Sequence, residues 1–498
     1  MQQFILVFLI LTISVLSSLG QNAPSTSQVK RPNLLQGEQA RAKSDWDNAI
    51  LYFNKAIDTD EAKGDAVLLE IAYSGLCQAY FSKNQFDLAV PDCDKAIQYN
   101  SRRFFVYLFH GFLAKRKGFI DQAINDFSKA IEINPASGGA YSFRGEAYSE
   151  KHDYDLAFAD LNKAIELTPD DAGNYSARAH VYEARGDLEK AIIDYSKAIE
   201  VDPKDPFLYI ARSTVYRKAR NFDKAELDGS KAIELAPNFL HAYINRGNVY
   251  LNKGQYDRAI ADYDKALQID PKSTDALLFR GTAYSEKGNY DQAIVDHTKV
   301  IQIDPNYTLA YTDRGGAFIQ KGEYRYAVSD FRKRVQLEPS AVGMYYSSAW
   351  ANLYANDGNE AYADADRFLK AKGATADPGG PYAVLVGYLG LRKNDKADEA
   401  KNFLDGWIRQ SNPGAWTTKI MHYFYGDVTE QQLLELAVDN DKLTEAHTYI
   451  AAMQLLNGKT SEARDHFNWV KANGNKEFSE YVLAIAELKR LDPTLIKK

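Results

Sequence analysis

From Glu70 onward the apolar positions fall into paired helical stripes, and each pair returns every 34 residues. Alanine opens each second stripe: Ala89, Ala123, Ala157, Ala191, Ala225, Ala259, Ala293 and Ala327 follow one another at that step without an insertion. On the first stripe Tyr148, Tyr182, Tyr216, Tyr250 and Tyr284 keep the step, and so do Pro135, Pro169, Pro203, Pro237, Pro271, Pro305 and Pro339 after the second. Two helices per unit, joined by short turns, satisfy this pattern. Gly145, Gly247 and Gly281 on the first helix face Ala157, Ala259 and Ala293 on the second, which lets the backbones approach closely. Gly118, Gly186, Gly254, Gly288 and Gly322 stand where the first helix must stop, and proline ends the second. His152 and Arg220 replace that glycine in two units.

A small residue, then tyrosine, alanine, an aromatic, alanine and proline at these spacings resemble the tetratricopeptide repeat. The resemblance implies an all-α solenoid, a right-handed superhelix of helical hairpins whose concave groove holds proteins or peptides. Residues 70–341 make eight contiguous units, preceded by a first hairpin at 30–63 that carries Gly37, Ala49, Phe53 and Ala56. A degenerate hairpin follows at 342–375, and Gly373 to Pro381 reads as a linker. Beyond it, residues 381–491 form a helical module with segments Tyr382 to Arg409, Thr429 to Val438, Thr444 to Asn457, Ser461 to Ala472 and Phe478 to Leu491. The last of these is expected to cap the stack, because an uncapped repeat exposes its apolar face.

Within that module, Ala415-Trp416, Tyr425-Gly426-Asp427-Val428-Thr429, Glu445-Ala446-His447-Thr448-Tyr449 and Phe478-Ser479-Glu480-Tyr481 are similar to the new lipoprotein I family of bacterial envelope proteins. That resemblance implies an adaptor role beside cell-wall hydrolases and a periplasmic protease. It transfers no binding residue.

The first twenty residues differ in kind. Phe4 to Leu16 is an apolar run too short to span a bilayer comfortably, and Ser18 and Gly20 suit cleavage near Gln21. Residues 1–20 therefore read as an export signal, although no Lys or Arg precedes the run, which keeps an uncleaved anchor as the alternative. No cysteine follows it for lipid attachment, and no later stretch reads as a membrane span. The expected location is secreted or periplasmic. An oxidising compartment permits a bridge between Cys77 and Cys93, which lie on facing helices of one hairpin. Two small buried thiols are the plainer reading.

A net charge of −7 gives no reason to expect nucleic acid as a partner. Charge is nevertheless periodic. Arg144, Arg178, Arg212, Arg246, Arg280 and Arg314 recur on the first helices, and Asp160, Asp194, Asp228, Asp262, Asp296 and Asp330 follow each by sixteen residues. Matched opposite charges at a fixed offset predict ion pairs stapling helix to helix, not an anion-binding track. His110 and Asp126 hold the same places one unit earlier.

The first-helix columns that do not repeat are the candidate partner face. One runs through Leu108, Ser142, Ser176, Ile210, Ile244, Leu278 and Thr312, and another through Phe112, Glu146, His180, Thr214, Asn248, Thr282 and Gly316. Phe105, Leu108, Phe109, Phe112 and Phe143 predict an apolar patch, covered by a partner, by the N-terminal segment or by a second copy of the chain. His241, Asn245, Asn248 and Asn252 form a polar cluster able to read a peptide backbone. Catalytic, cofactor and metal motifs are missing: there is no HExxH, paired CxxC, P-loop or GxSxG. Asn174-Tyr175-Ser176 and Asn306-Tyr307-Thr308 fit a glycosylation acceptor. The reading is an exported, non-enzymatic adaptor for proteins, with polysaccharide binding as the alternative.

Overall fold

The computed structural model describes residues 31–59, 64–373 and 377–492, and among them 27 helices and no strand. The proposed signal and its cleavage point lie outside the described residues. Two compact units divide the chain, one ending at Asn252 and the other beginning at Lys253.

The first unit is a run of helical hairpins, well illustrated by Gly138–Glu150 and Tyr154–Leu167. Ser137 starts the first of these helices by accepting from the Ala140 amide. The turn that ends it is made by His152 at φ 64°, the left-handed conformation that glycine supplies in sister repeats such as Gly186 at φ 87°. Ala157, Leu161 and Ala164 are fully buried on the second helix. A Cβ on Gly145 would lie 2.8 Å from the Leu161 side chain, so the helix crossing admits only glycine there. The earliest hairpin, Pro32–Ala42 with Trp46–Asp58, packs Phe53 under Gly37 in the same way.

The second unit continues these hairpins to Tyr324–Leu337 and then departs from them. Gly343–Tyr354 and Gly358–Lys372 form the degenerate hairpin. Gly373 ends it at φ 78°, and Gly380–Lys393 packs directly back on Gly358–Lys372. Glycines make this crossing possible, since a Cβ on Gly390 would sit 2.6 Å from the Gly358 carbonyl oxygen. The expected linker therefore separates no domains. Leu353, Ala365, Leu385, Leu389, Met421, Ile450 and Leu483 share one apolar core.

Three further differences from the sequence reading stand out here. The segment 382–409 is two helices, broken at Asp395 with φ 58°. Trp416–Tyr425 is an additional helix. The last helix, Ser479–Leu491, packs on Thr460–Asn473 and Asn440–Leu456 and, beyond the expected cap, also folds back on Gly343–Tyr354. The Tyr354 hydroxyl donates to the Ser479 carbonyl at 3.0 Å, and the Arg490 guanidinium donates to the Tyr354 carbonyl. Leu483, Ala486 and Leu488 of this helix are buried. No helix among the described residues is long and apolar enough to cross a membrane.

Candidate protein-interaction face

The ladder residues form paired rungs. Arg144 donates from Nε and Nη2 to the two carboxylate oxygens of Asp160 at 2.7 and 2.8 Å, and its Nη1 donates to Ser128 Oγ at 3.0 Å. Arg178, Arg212, Arg280 and Arg314 repeat this fork on Asp194, Asp228, Asp296 and Asp330. Their third bonds go to Asn162, Ser196, Asp264 and Thr298, while Arg246 reaches Ser230 at 3.2 Å. Each such arginine thus joins its own hairpin to the preceding one. That second connection was not read from the sequence, because its column varies between Ser, Asn, Asp and Thr and only the ability to accept a hydrogen bond is shared. The aspartates are buried, and two-point geometry with charge-assisted bonds is the arrangement that tolerates burial.

At the first rung His110 replaces arginine, with Nδ1 2.8 Å from Asp126 and Nε2 3.0 Å from Asp94. Burial opposes its positive charge, but the bonds and attraction of the two carboxylates prevail and raise its pKa. One unit earlier still, Asp92 occupies the aspartate column opposite Leu76 in the arginine column, and burial pushes its carboxyl up to about 7.

Cys77 and Cys93 are bridged, with Cα atoms 4.9 Å apart, which corrects the reading of two free thiols. Cys77 takes the small-residue column and Cys93 the aromatic column. The bridge thereby replaces the glycine-on-ring contact seen at Gly111 against Phe127 and at Gly315 against Phe331.

The predicted phenylalanine patch is mostly core. Leu108, Phe109 and Phe143 are buried, and Phe105 and Phe112 are half-buried. Phe109 stacks on Phe81 at 4.2 Å between ring centres, and Phe143 packs against Phe112 and Phe127, each at 5.8 Å. Ring-on-ring packing removes the surface that the sequence alone left in water. The polar cluster also dissolves. Asn245 is buried, accepting from Ser213 at 2.6 Å and donating to Thr214 at 3.0 Å, and Asn252 accepts from Arg217 at 3.2 Å. Glu146 is engaged by Lys115 at 2.6 Å, Asn248 is half-buried and Ile244 is buried. Asn174 is buried under three hydrogen bonds to Ala164 and Thr168, so it offers no glycosylation site.

His180, Phe207 and His241 are exposed on the first helices of the first unit. Phe207 is 41% exposed, its ring 4.6 Å from that of Phe239, which in turn lies 5.3 Å from the His241 ring. These three neighbours form an aromatic shelf. His180 stands apart, edge-on to the buried Tyr195 ring. Among the described residues no group of three or more His, Cys, Asp or Glu side chains could hold a metal ion.

Hairpins with this spacing, stapled in this way, make a repeat scaffold with an interaction face. Residues 111–172, 175–205, 241–273 and 274–307 match models of the tetratricopeptide repeat, so these hairpins are tetratricopeptide repeats. Such repeats are protein-interaction modules. A lipoprotein NlpI homolog of Haemophilus influenzae is 32% identical over 126 residues, covering 24% of this chain and 40% of that relative. The match thus spans about two fifths of the relative's length. Among solved structures, YrrB, a tetratricopeptide-repeat protein with an unusual peptide-binding site, is 28% identical over 37% of this chain and 95% of its own, with a TM-score of 0.30. MamA is 25% identical over 33% and 95%, with a TM-score of 0.30. A tetratricopeptide-repeat protein of Parabacteroides merdae is 20% identical over 48% and 94%, with a TM-score of 0.41.

Proposed function

We propose that this protein is an exported adaptor that holds protein or peptide partners on its first-helix faces in an envelope or secretory compartment. The observation that carries the reading is a division of labour among columns. The repeating charges are consumed by helix-to-helix rungs, and the accessible groups, His180, Phe207 and His241, lie in columns that change from unit to unit. The Cys77–Cys93 bridge supports an oxidising compartment. Likeness to an envelope lipoprotein homolog supports the same location. The test is cross-linking in the native host with mass spectrometry of the captured proteins, on the wild type and on H180A/F207S. A partner lost in the variant at unchanged melting temperature supports the adaptor; absence of any specific partner overturns it.

The aromatic shelf favours one second reading, stacking of a sugar ring on Phe207 and Phe239. Oligosaccharides would then raise the melting temperature of the wild type and leave that of F207S unchanged.

A further inference from the structure

The residues that carry the envelope-protein resemblance are far apart in the chain, yet several meet in one buried cluster of the second unit. Glu445 and Tyr449 are one turn apart on Asn440–Leu456, and Glu480 lies in the first turn of the last helix, Ser479–Leu491. Glu445 accepts from the Tyr382 hydroxyl at 3.1 Å and from the Trp416 indole at 3.0 Å. Glu480 accepts from the Tyr449 hydroxyl at 2.6 Å. Both carboxyl groups belong to buried residues.

Among the described residues, no cation is hydrogen-bonded to either carboxyl group. The titratable groups acting on the cluster are Tyr346 and Tyr354 from Gly343–Tyr354, Asp377 before Gly380–Lys393, Tyr382, Asp441 and Tyr449. None carries positive charge. Two ionised carboxylates on separate helices, buried in one cluster and held there by neutral donors, repel each other in a medium that screens poorly. We propose that Glu445 and Glu480 share a proton and act as a latch: the protonated pair holds the last helix docked, and loss of the proton frees it.

Burial and the neighbouring carboxyl push Glu445 up to about 8, and burial raises Glu480 as well. The sign follows. A carboxyl whose pKa is higher in the docked state stabilises docking fully below the ordinary carboxylate range, and that contribution is lost as pH rises through about 8. The helix's other anchors sit elsewhere along it: Glu487 binds Lys393 at 2.6 Å and Arg490 at 2.6 Å. Undocking would uncover Leu483 and Ala486, which the docked helix buries.

The experiment is hydrogen exchange of the full chain, read by mass spectrometry at pH 6 and pH 9 and normalised to intrinsic exchange rates. The latch predicts protection in 479–491 falling toward pH 9, by up to about tenfold per pH unit for one linked proton. Gly380–Lys393 should keep its protection. E480Q retains an oxygen for Tyr449 and removes the charge pair, so the pH dependence should flatten. E445Q provides an independent variant with the same expected result should E480Q not fold. Equal protection at both pH values in the wild type overturns the latch, as does an undiminished pH dependence in both glutamine variants. Burial also lowers the Lys393 pKa. Loss of the pH dependence in K393R, which keeps its charge at pH 9, would assign the effect to the Lys393–Glu487 pair and overturn the proposal.

Discussion

Arg332 Nη2 donates to Asp364 at 2.9 Å from the helix of the preceding hairpin, whereas Asp160, Asp194, Asp228, Asp296 and Asp330 are each gripped from the first helix of their own hairpin. Asp364 is the next member of the aspartate column, but the arginine column holds Ser348, whose hydroxyl donates to Asp364 at 2.6 Å. Arg332 itself stands where Ser128, Asn162, Ser196, Ser230, Asp264 and Thr298 stand in earlier units. The cation and the small polar residue have exchanged places around an unchanged buried carboxylate. The degenerate hairpin is therefore still stapled.

R332S alone should destabilise the second unit by about 1 kcal/mol, a modest figure because Arg332 is partly exposed and Arg367 still holds Asp364. Adding S348R should restore the lost stability. Chemical denaturation of both variants checks this, and no recovery in the double variant would contradict the exchange.

Asp296 is nearly inaccessible under the Arg280 fork. D296A should cost about 2 kcal/mol, because it removes both bonds of the fork and leaves Arg280 with Asp264 as its remaining carboxylate. D296L/R280M should cost much less. Additive effects of the two single changes in a double-mutant cycle would rule out coupling.

The Cys77–Cys93 bridge closes a loop of sixteen residues. Chain entropy assigns such a loop about 3 kcal/mol. Reductant, or C77S/C93S, should lower the melting temperature of the hairpin Ala66–Ser82 with Phe86–Gln98. Thiol counting before and after reduction verifies the bridge itself.

His297 fills the aromatic column against Gly281, with neither ring nitrogen hydrogen-bonded, and burial lowers its pKa to about 4. A depressed folded pKa means stability present above the ordinary histidine range and lost as pH falls toward 4. H297F should stabilise the repeat by about 1 to 3 kcal/mol, the cost of the unsatisfied buried nitrogens. It should also remove that acid slope, as read from melting temperatures between pH 7 and 4.

His110 works in the opposite sense. Its raised pKa makes the rung to Asp126 and Asp94 strongest below the ordinary histidine range, and weaker as pH rises through the folded value. H110R should hold the first unit's melting temperature level across that window while the wild type declines.

The 34-residue step, read from the sequence, already carried the hairpins, the glycine positions of close helix approach and the pairing of Arg with Asp, though Gly145 meets Leu161 as well as Ala157, and Gly281 lies nearest His297 and not the alanine expected to face it. Those interactions lie within one unit, and a repeated local geometry writes itself as a repeated local pattern. The left-handed turns at His152 and Arg220 were equally visible as departures from the glycine column.

The structure alone decided the rest, because each remaining feature depends on what stands beside a residue rather than on the residue. Phe109 and Phe143 read as surface until Phe81 and Phe127 cover them, and Asn245 reads as groove until Ser213 and Thr214 bind it. Two cysteines become a bridge when their Cα atoms come within reach. Glu445 and Glu480 become a pair only when a helix returns across the second unit to bury them together. Burial and electrostatics depend on distances in space, and beyond one repeat the distance along the chain no longer predicts them.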